Sequence, residues 1–127
     1  MWPGRPFVDI IFDIVWEVEV EPEVEEWIDE LPVAEFAVVA AFVERLAERG
    51  SELRMPISRS LGAGLFELRF NLDRTAWRIT FFFAAKRKIV LLTVFRKQRR
   101  NERLEVRRAR RAMSRCIAEA HTAQEEC

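Results

Sequence analysis

The stretch LFELRFNLDRTAWRITFFFAAKRKIVLLTVFRK, residues 65–97, decides the fold. Three apolar-rich runs are separated by two short polar breaks, and in a strand side chains two apart share a face. Leu65 to Asn71 alternates, with Phe66, Leu68 and Phe70 on one face and Glu67 and Arg69 on the other. Thr75 to Phe83 follows a turn through Asp73, and Ile89 to Phe95 follows a second turn through Lys86, Arg87 and Lys88. Connections this short predict an antiparallel meander. Phe81-Phe82-Phe83 and Ile89 to Leu92 are apolar on both faces, which predicts central strands covered from both sides.

Upstream, residues 7 to 20 alternate, with Phe12, Ile14, Trp16, Val18 and Val20 against Asp13, Glu17 and Glu19, and read as a first strand after a lead-in over residues 1–6. Pro22 suits the first turn of a helix, and Val24, Trp27, Ile28 and Leu31 recur at helical spacing until Leu31-Pro32 breaks the pattern. A second helix is expected from about Ala34 to Arg49, with Phe36, Val39, Ala40, Val43, Leu46 and Ala47 inward and Gly50 as its cap. Together these make an acidic helical hairpin, the available cover for the sheet. Ser51 to Gly64, with Met55-Pro56 and Gly62-Ala63-Gly64, reads as a connecting loop carrying Arg54 and Arg59. Downstream, Asn101 reads as the N-cap of a helix to about Ala120 with a thin apolar stripe of Leu104, Ala109, Ala112, Met113 and Cys116, followed by a frayed tail over residues 121–127.

The 127 residues suit one domain. Half of them are hydrophobic and a third charged, the composition of a folded globular chain. With no Tyr and a single His, His121, a catalytic phenol is excluded, and His-based metal sites and Ser or Cys triads have almost nothing to build on. Cys116 and Cys127 form neither a CxxC pair nor a disulfide framework, no membrane span or cleavable leader stands out, and the expected location is cytoplasmic. The net charge of zero conceals segregation: residues 1–53 carry 14 acidic side chains against Arg5, Arg45 and Arg49, so the remainder is equally basic. Either the halves neutralise each other within the fold, or the basic half reads a polyanion.

Arg69 and Arg78 fall opposite the apolar faces of neighbouring strands and can share one surface, with Lys97 leaving the last strand nearby. Such a cluster of cations is costly unless an anion or carboxylates occupy it, and Glu67 is the carboxylate within the motif. Phosphate is one natural guest. The alternative is that Arg69 and Arg78 pair with acidic residues of the helical hairpin as structural salt bridges.

These motifs resemble a known family. Gly64-Leu65-Phe66-Glu67-Leu68-Arg69, Trp77-Arg78-Ile79-Thr80-Phe81 and Leu91-Leu92-Thr93-Val94-Phe95-Arg96-Lys97, followed by a basic helix with Ala109 and Arg111, are similar in order and spacing to the RelE/HigB-like toxins of bacterial toxin and antitoxin pairs, above all their phage-derived branch. Trp27 to Pro32, Leu46 to Gly50, Pro56 and Leu61 match in the same order, so the likeness spans about residues 14–115. It implies an α+β fold: an antiparallel sheet of about four strands, two N-terminal helices packed on it and a basic C-terminal helix. It also implies a ribosome-dependent mRNA endonuclease that works by attack of a ribose 2′-hydroxyl on the adjacent phosphate and needs no cofactor or metal.

Carried onto this chain, the resemblance places Arg69, Arg78 and Lys97 at basic site positions, with Glu67 beside them and Arg59, Arg96, Arg99, Arg100 and Arg103 as RNA grips. Several relatives move the proton with Tyr or His, which this chain cannot copy. That leaves a carboxylate such as Glu67 or Glu102, Lys97, or catalysis by charge stabilisation and ribosomal positioning. The arginine-rich segment from Arg96 to Arg115 fits ribosomal RNA, an acidic antitoxin segment or a solvated helix face. The implied partners are the ribosome with its message and a cognate antitoxin of the helix-turn-helix DNA-binding type, so that DNA is met only through the antitoxin and no membrane is involved. Two other readings compete: an RNA-binding or regulatory module on the same scaffold that has lost cleavage, and a structural interaction protein.

Overall fold

The structure, a computed structural model, describes residues 16–126, with side chains through Glu119. In chain order the elements are β1 (Glu17–Val20), α1 (Pro22–Asp29), α2 (Val33–Arg49), a 3-10 turn (Gly50–Glu52), β2 (Ser58–Gly62), β3 (Leu65–Leu72), β4 (Thr75–Ala84), β5 (Lys88–Arg96) and α3 (Glu102–Glu126). They form one five-stranded sheet in the order β1-β5-β4-β3-β2. The meander from β2 to β5 is antiparallel throughout, whereas β1 runs parallel to β5.

Three expectations are corrected here. The sheet is mixed and has five strands, not about four antiparallel ones. The extra strand, β2, lies inside the supposed loop of residues 51–64. Its Ser58-Arg59-Ser60 core lacks apolar alternation because it is an edge strand, held by the backbone of β3 rather than by burial. The described part of the first strand is only Glu17–Val20; the expected strand residues before Trp16, and the lead-in, lie outside the described residues. Its parallel direction follows from delivery to the far edge of the sheet, which alternation does not encode.

The two tight turns of the meander use left-handed backbone. Asp73 and Arg74, between the paired residues Leu72 and Thr75, have φ of 48° and 70°, and Lys86 and Arg87 have 62° and 57°. Successive positive φ values match the right-handed twist of the flanking strands.

The helical hairpin covers one face of the sheet. Pro22 opens α1 and Glu23 and Glu25 sit in its first turn, where the helix dipole favours them. Val24 and Ile28 of α1 and Val39, Val43, Leu46 and Ala47 of α2 are buried against Leu68, Phe70, Leu72, Ile79, Phe81, Ile89 and Leu91 of the sheet. α2 ends at Gly50, whose N–H donates to Leu46 O at a φ of +54°. A Cβ at this position would lie 2.0 Å from Nε1 of Trp16. Gly50→Ala is therefore expected to destabilise the fold by at least about 1–3 kcal/mol, from left-handed backbone strain plus displacement of the indole. Chemical denaturation measures this, and an unchanged midpoint would contradict the packing.

The opposite face is covered by α3, not by the acidic helices. Val106, Ala109, Ala112, Met113 and Cys116 pack on Leu65, Phe82, Val90 and Leu92. Leu104, assigned to that stripe from sequence, is 60% exposed and points away from it. The helix also continues to Glu126, past the expected end near Ala120. Asn101 stands before it as expected, but its buried Oδ1 accepts no hydrogen bond, so it caps only through its carbonyl, which accepts from Glu105 N–H.

Two arginines fasten α3 to opposite edges of the sheet. Where β1 stops alongside β5, Glu23 accepts the Val94 N–H, and Arg108 donates to the Val94 carbonyl, to Glu23 and to Glu105. Side chains thus complete the edge backbone pairing that a longer β1 would supply. At the other edge Arg110 donates to the carbonyls of Leu61 and Gly62 at 2.7 and 3.1 Å. Both residues belong to the arginine-rich segment, and their roles here are structural.

Candidate functional site

The meander register builds a polar patch on the α3 side of the sheet. Arg59, Glu67, Thr80 and Thr93 are cross-strand neighbours from β2 to β5, and Arg69, Arg78 and Phe95 form the next row. Directly paired residues project to the same face, so the two rows place Arg59, Arg69 and Arg78 around Glu67. Oε2 of Glu67 lies 3.8 Å from Nη1 of Arg59, 4.0 Å from Nε of Arg69 and 3.7 Å from Nε of Arg78. Under the same surface the hydroxyls of Thr80 and Thr93 are hydrogen bonded at 2.6 Å, which joins β4 to β5 beside a register shift.

The ion pairs with Glu67 are longer than hydrogen bonds, so one carboxylate neutralises part of the charge without saturating the guanidinium donors. Nη1 of Arg78 donates to the Trp77 carbonyl, while its Nε and Nη2 have no hydrogen-bond acceptor among the described residues. Nε of Arg69 is buried with no acceptor, and its Nη1 reaches only the Met55 sulfur, at 3.5 Å. Exposure is graded: the side chains of Arg59, Arg69 and Arg78 are 48%, 26% and 8% exposed, and that of Glu67 only 2%. The arrangement has guanidinium donors to spare around a nearly sealed carboxylate.

Burial pushes the Glu67 carboxyl above the ordinary carboxylate range, against the pull of Arg78, Arg59 and Arg69. Burial also lowers Arg78, with Arg69 adding repulsion and Glu67 opposing it, although a guanidinium stays charged. A carboxyl raised in the folded state binds a proton that the unfolded chain has already released. Its stabilising contribution is therefore present below the unfolded titration range and is lost as pH rises through the folded one. The melting temperature of the parent is expected to fall relative to that of Glu67→Gln as pH is raised from mildly acidic to neutral. A difference independent of pH would contradict this.

Of the residues singled out from sequence, the structure brings together Arg59, Glu67, Arg69 and Arg78. The reading in which Arg69 and Arg78 pair with acids of the helical hairpin is corrected: they lie on the other face of the sheet, and their carboxylate is Glu67. Arg96, Lys97, Arg99 and Arg100 are exposed at the end of β5 and in the link to α3, and Arg103 is exposed in its first turn; none makes an ion pair among the described residues. Lys97 is held only through its backbone, its N–H donating to Ala76 O. These cations ring the end of the sheet without joining the Glu67 cluster.

Met55, Thr80, Thr93 and Asn101 were not singled out as site residues by sequence. The Thr pair had a signal, since two β-branched hydroxyl residues interrupt otherwise apolar strands. Met55 had none. An apolar cavity of roughly 650 Å³ lies near Phe82, Val90, Met113, Cys116 and Ile117, beside the β4–β5 turn. Glu19, Lys86 and Lys88 stand in its wall, but none of the clustered arginines lines it.

Comparison with known proteins agrees with this geometry. In structure, the chain is similar to a chain of the RelBE2 toxin-antitoxin complex of Mycobacterium tuberculosis, with a TM-score of 0.51 at 18% identity over 66% of this chain and all of that one. The fold is therefore the RelE toxin fold. Residues 26–116 match the family model described as Phage derived protein Gp49-like (DUF891). The chain belongs to this Gp49-like family of phage-derived proteins. No curated protein sequence matches it. Among the described residues, no helix is long and apolar enough to cross a membrane.

Proposed function

We propose that this protein is the toxin of a type II toxin-antitoxin module and acts as a ribosome-dependent mRNA endonuclease. The observation that carries the reading is the convergence of Arg59, Arg69 and Arg78 on one sheet face, with more guanidinium donors than the single carboxylate beneath them can use. A phosphodiester supplies the missing acceptors. Arg69 and Arg78 hold the scissile phosphate and stabilise the charge that builds on its oxygens as the 2′-hydroxyl attacks, and Glu67 keeps the guanidinium groups together when no RNA is bound. Only RNA carries that hydroxyl, so DNA is spared.

Arg96, Lys97, Arg99, Arg100 and Arg103 grip the backbone of message or ribosomal RNA without reading sequence. The same rim suits an acidic segment of an antitoxin, whose binding excludes RNA by competing for the same charges. RelBE2 is a toxin-antitoxin complex, which supports a partner of this kind here. We assign the partner to the helix-turn-helix class, so that any DNA contact of the complex is made by the antitoxin, and place the pair in the cytoplasm with the ribosome.

Expression alone tests the assignment. Growth is expected to stop, with loss of intact message, and to resume when the product of the neighbouring gene is made with it. Growth with stable messages would instead fit the RNA-binding module that has lost cleavage, and would overturn the enzyme reading.

A further inference from the structure

The attack of a 2′-hydroxyl needs a group to take its proton, and the chain has no Tyr for the task. His121 belongs to the same helix as Glu102 but 19 residues further on, about 28 Å along the axis at 1.5 Å per residue, and so cannot serve the arginine cluster. Glu67 is central but nearly sealed: its carboxylate is 2% exposed and sits beneath three guanidinium groups, out of reach of an incoming ribose. Lys97 is exposed beyond the end of β5 and makes no ion pair with the cluster among the described residues.

Glu102 differs from all of these. It opens α3, the element that covers this side of the sheet, and its carboxylate is 41% exposed. Its Oε2 lies 3.9 Å from Nη1 of Arg59, the same nitrogen that faces Glu67 at 3.8 Å. Its charge also acts on both neighbours, adding to the rise of Glu67 and opposing the lowering of Arg78. One carboxylate thus lies under the arginines and a second stands at their rim, open to solvent and joined to them through Arg59. Two carboxyl groups in such different surroundings are suited to different tasks.

We infer that Glu102 is the general base of this enzyme: its carboxylate takes the proton from the ribose 2′-hydroxyl while Arg69 and Arg78 hold the phosphate. The assignment rests on the endonuclease reading given above. The 2′-oxygen bonds to phosphorus as the bond from phosphorus to the 5′-oxygen breaks, and the departing 5′-oxygen takes a proton from water. The products are a 2′,3′-cyclic phosphate and a 5′-hydroxyl, and Glu102 returns its proton to solvent. Glu67 is a positioning residue that touches no reacting atom.

The test compares parent, Glu102→Gln and Glu102→Asp on ribosomes programmed with message. Glu102→Gln is expected to lower kcat about a hundredfold with KM unchanged or lower, and to lack the fall in kcat toward acid pH that a carboxylate base would give the parent. Glu102→Asp recovers part of the rate and restores the acid limb. The position is exposed and carries no core packing, so both variants should melt with the parent. A Glu102→Gln variant with the parent's kcat overturns the assignment, as does one that is slower but keeps the parent's acid limb, since that marks a merely structural role. If the parent itself leaves translated message intact, the endonuclease reading fails and Glu102 falls with it, whereas a cutting parent with an indifferent Glu102 removes the base alone.

Discussion

Arg78→Ala is expected to slow cleavage of translated message by roughly 10²–10³-fold, the cost of removing one preorganised donor from a developing oxyanion. Arg78 has the most restricted guanidinium of the cluster: Nη1 is tied to the Trp77 carbonyl, Nε faces Glu67 at 3.7 Å, and the side chain is 8% exposed. A group held this way needs no reorganisation when charge develops beside it. Arg78→Lys keeps the charge but loses the planar fork, and should fall between parent and alanine. The β3–β4 and β4–β5 pairing flanking position 78 is made by backbone groups, so the alanine variant should keep its fold. Primer extension on programmed ribosomes, with circular dichroism as control, separates the outcomes. A folded alanine variant that cuts as fast as the parent would remove Arg78 from the site.

Phe81→Ala is expected to cost about 3–5 kcal/mol, the range for truncating a buried aromatic side chain. Phe81 is fully buried between sheet and helical hairpin, stacked on Phe66 at 5.6 Å and meeting Phe83 edge-on at 5.6 Å. It also follows the register shift at Thr80, the point at which β4 must keep Thr80 opposite Thr93 and Arg78 opposite Phe95. Against a typical total of about 5–15 kcal/mol, such a loss leaves the domain marginal. Urea denaturation should show a large fall in midpoint, and activity should fail on warming before it fails in the cold. Arg78→Ala shows the converse, with activity lost and melting retained. A Phe81→Ala variant as stable as the parent would mean that the ring is not a core element.

The meander was legible in the sequence because alternation and turn chemistry agree there: β3, β4 and β5 lie within a residue or two of the runs starting at Leu65, Thr75 and Ile89. The pairing of Arg69 with Arg78 followed from the same alternation and the short turn at Asp73. β2 was missed because an edge strand held by backbone hydrogen bonds needs no apolar face, and Ser58-Arg59-Ser60 shows none. The parallel setting of β1 and the side of the sheet covered by α3 depend on chain crossings that no local pattern records. Arginines that tether a helix and arginines that could grip RNA look alike in sequence, so only the structure separates Arg108 and Arg110, bonded to backbone carbonyls, from exposed Arg99, Arg100 and Arg103. Arg59 joined the site for a related reason: its place opposite Glu67 exists only once β2 does.

The most direct measurement is mapping of RNA ends, at nucleotide resolution, in cells that express the parent or Arg78→Ala without antitoxin. The account predicts new 5′-hydroxyl ends in the parent, confined to translated reading frames and absent from the variant. Intact messages in the parent, or the same breaks with Arg78→Ala, would contradict it.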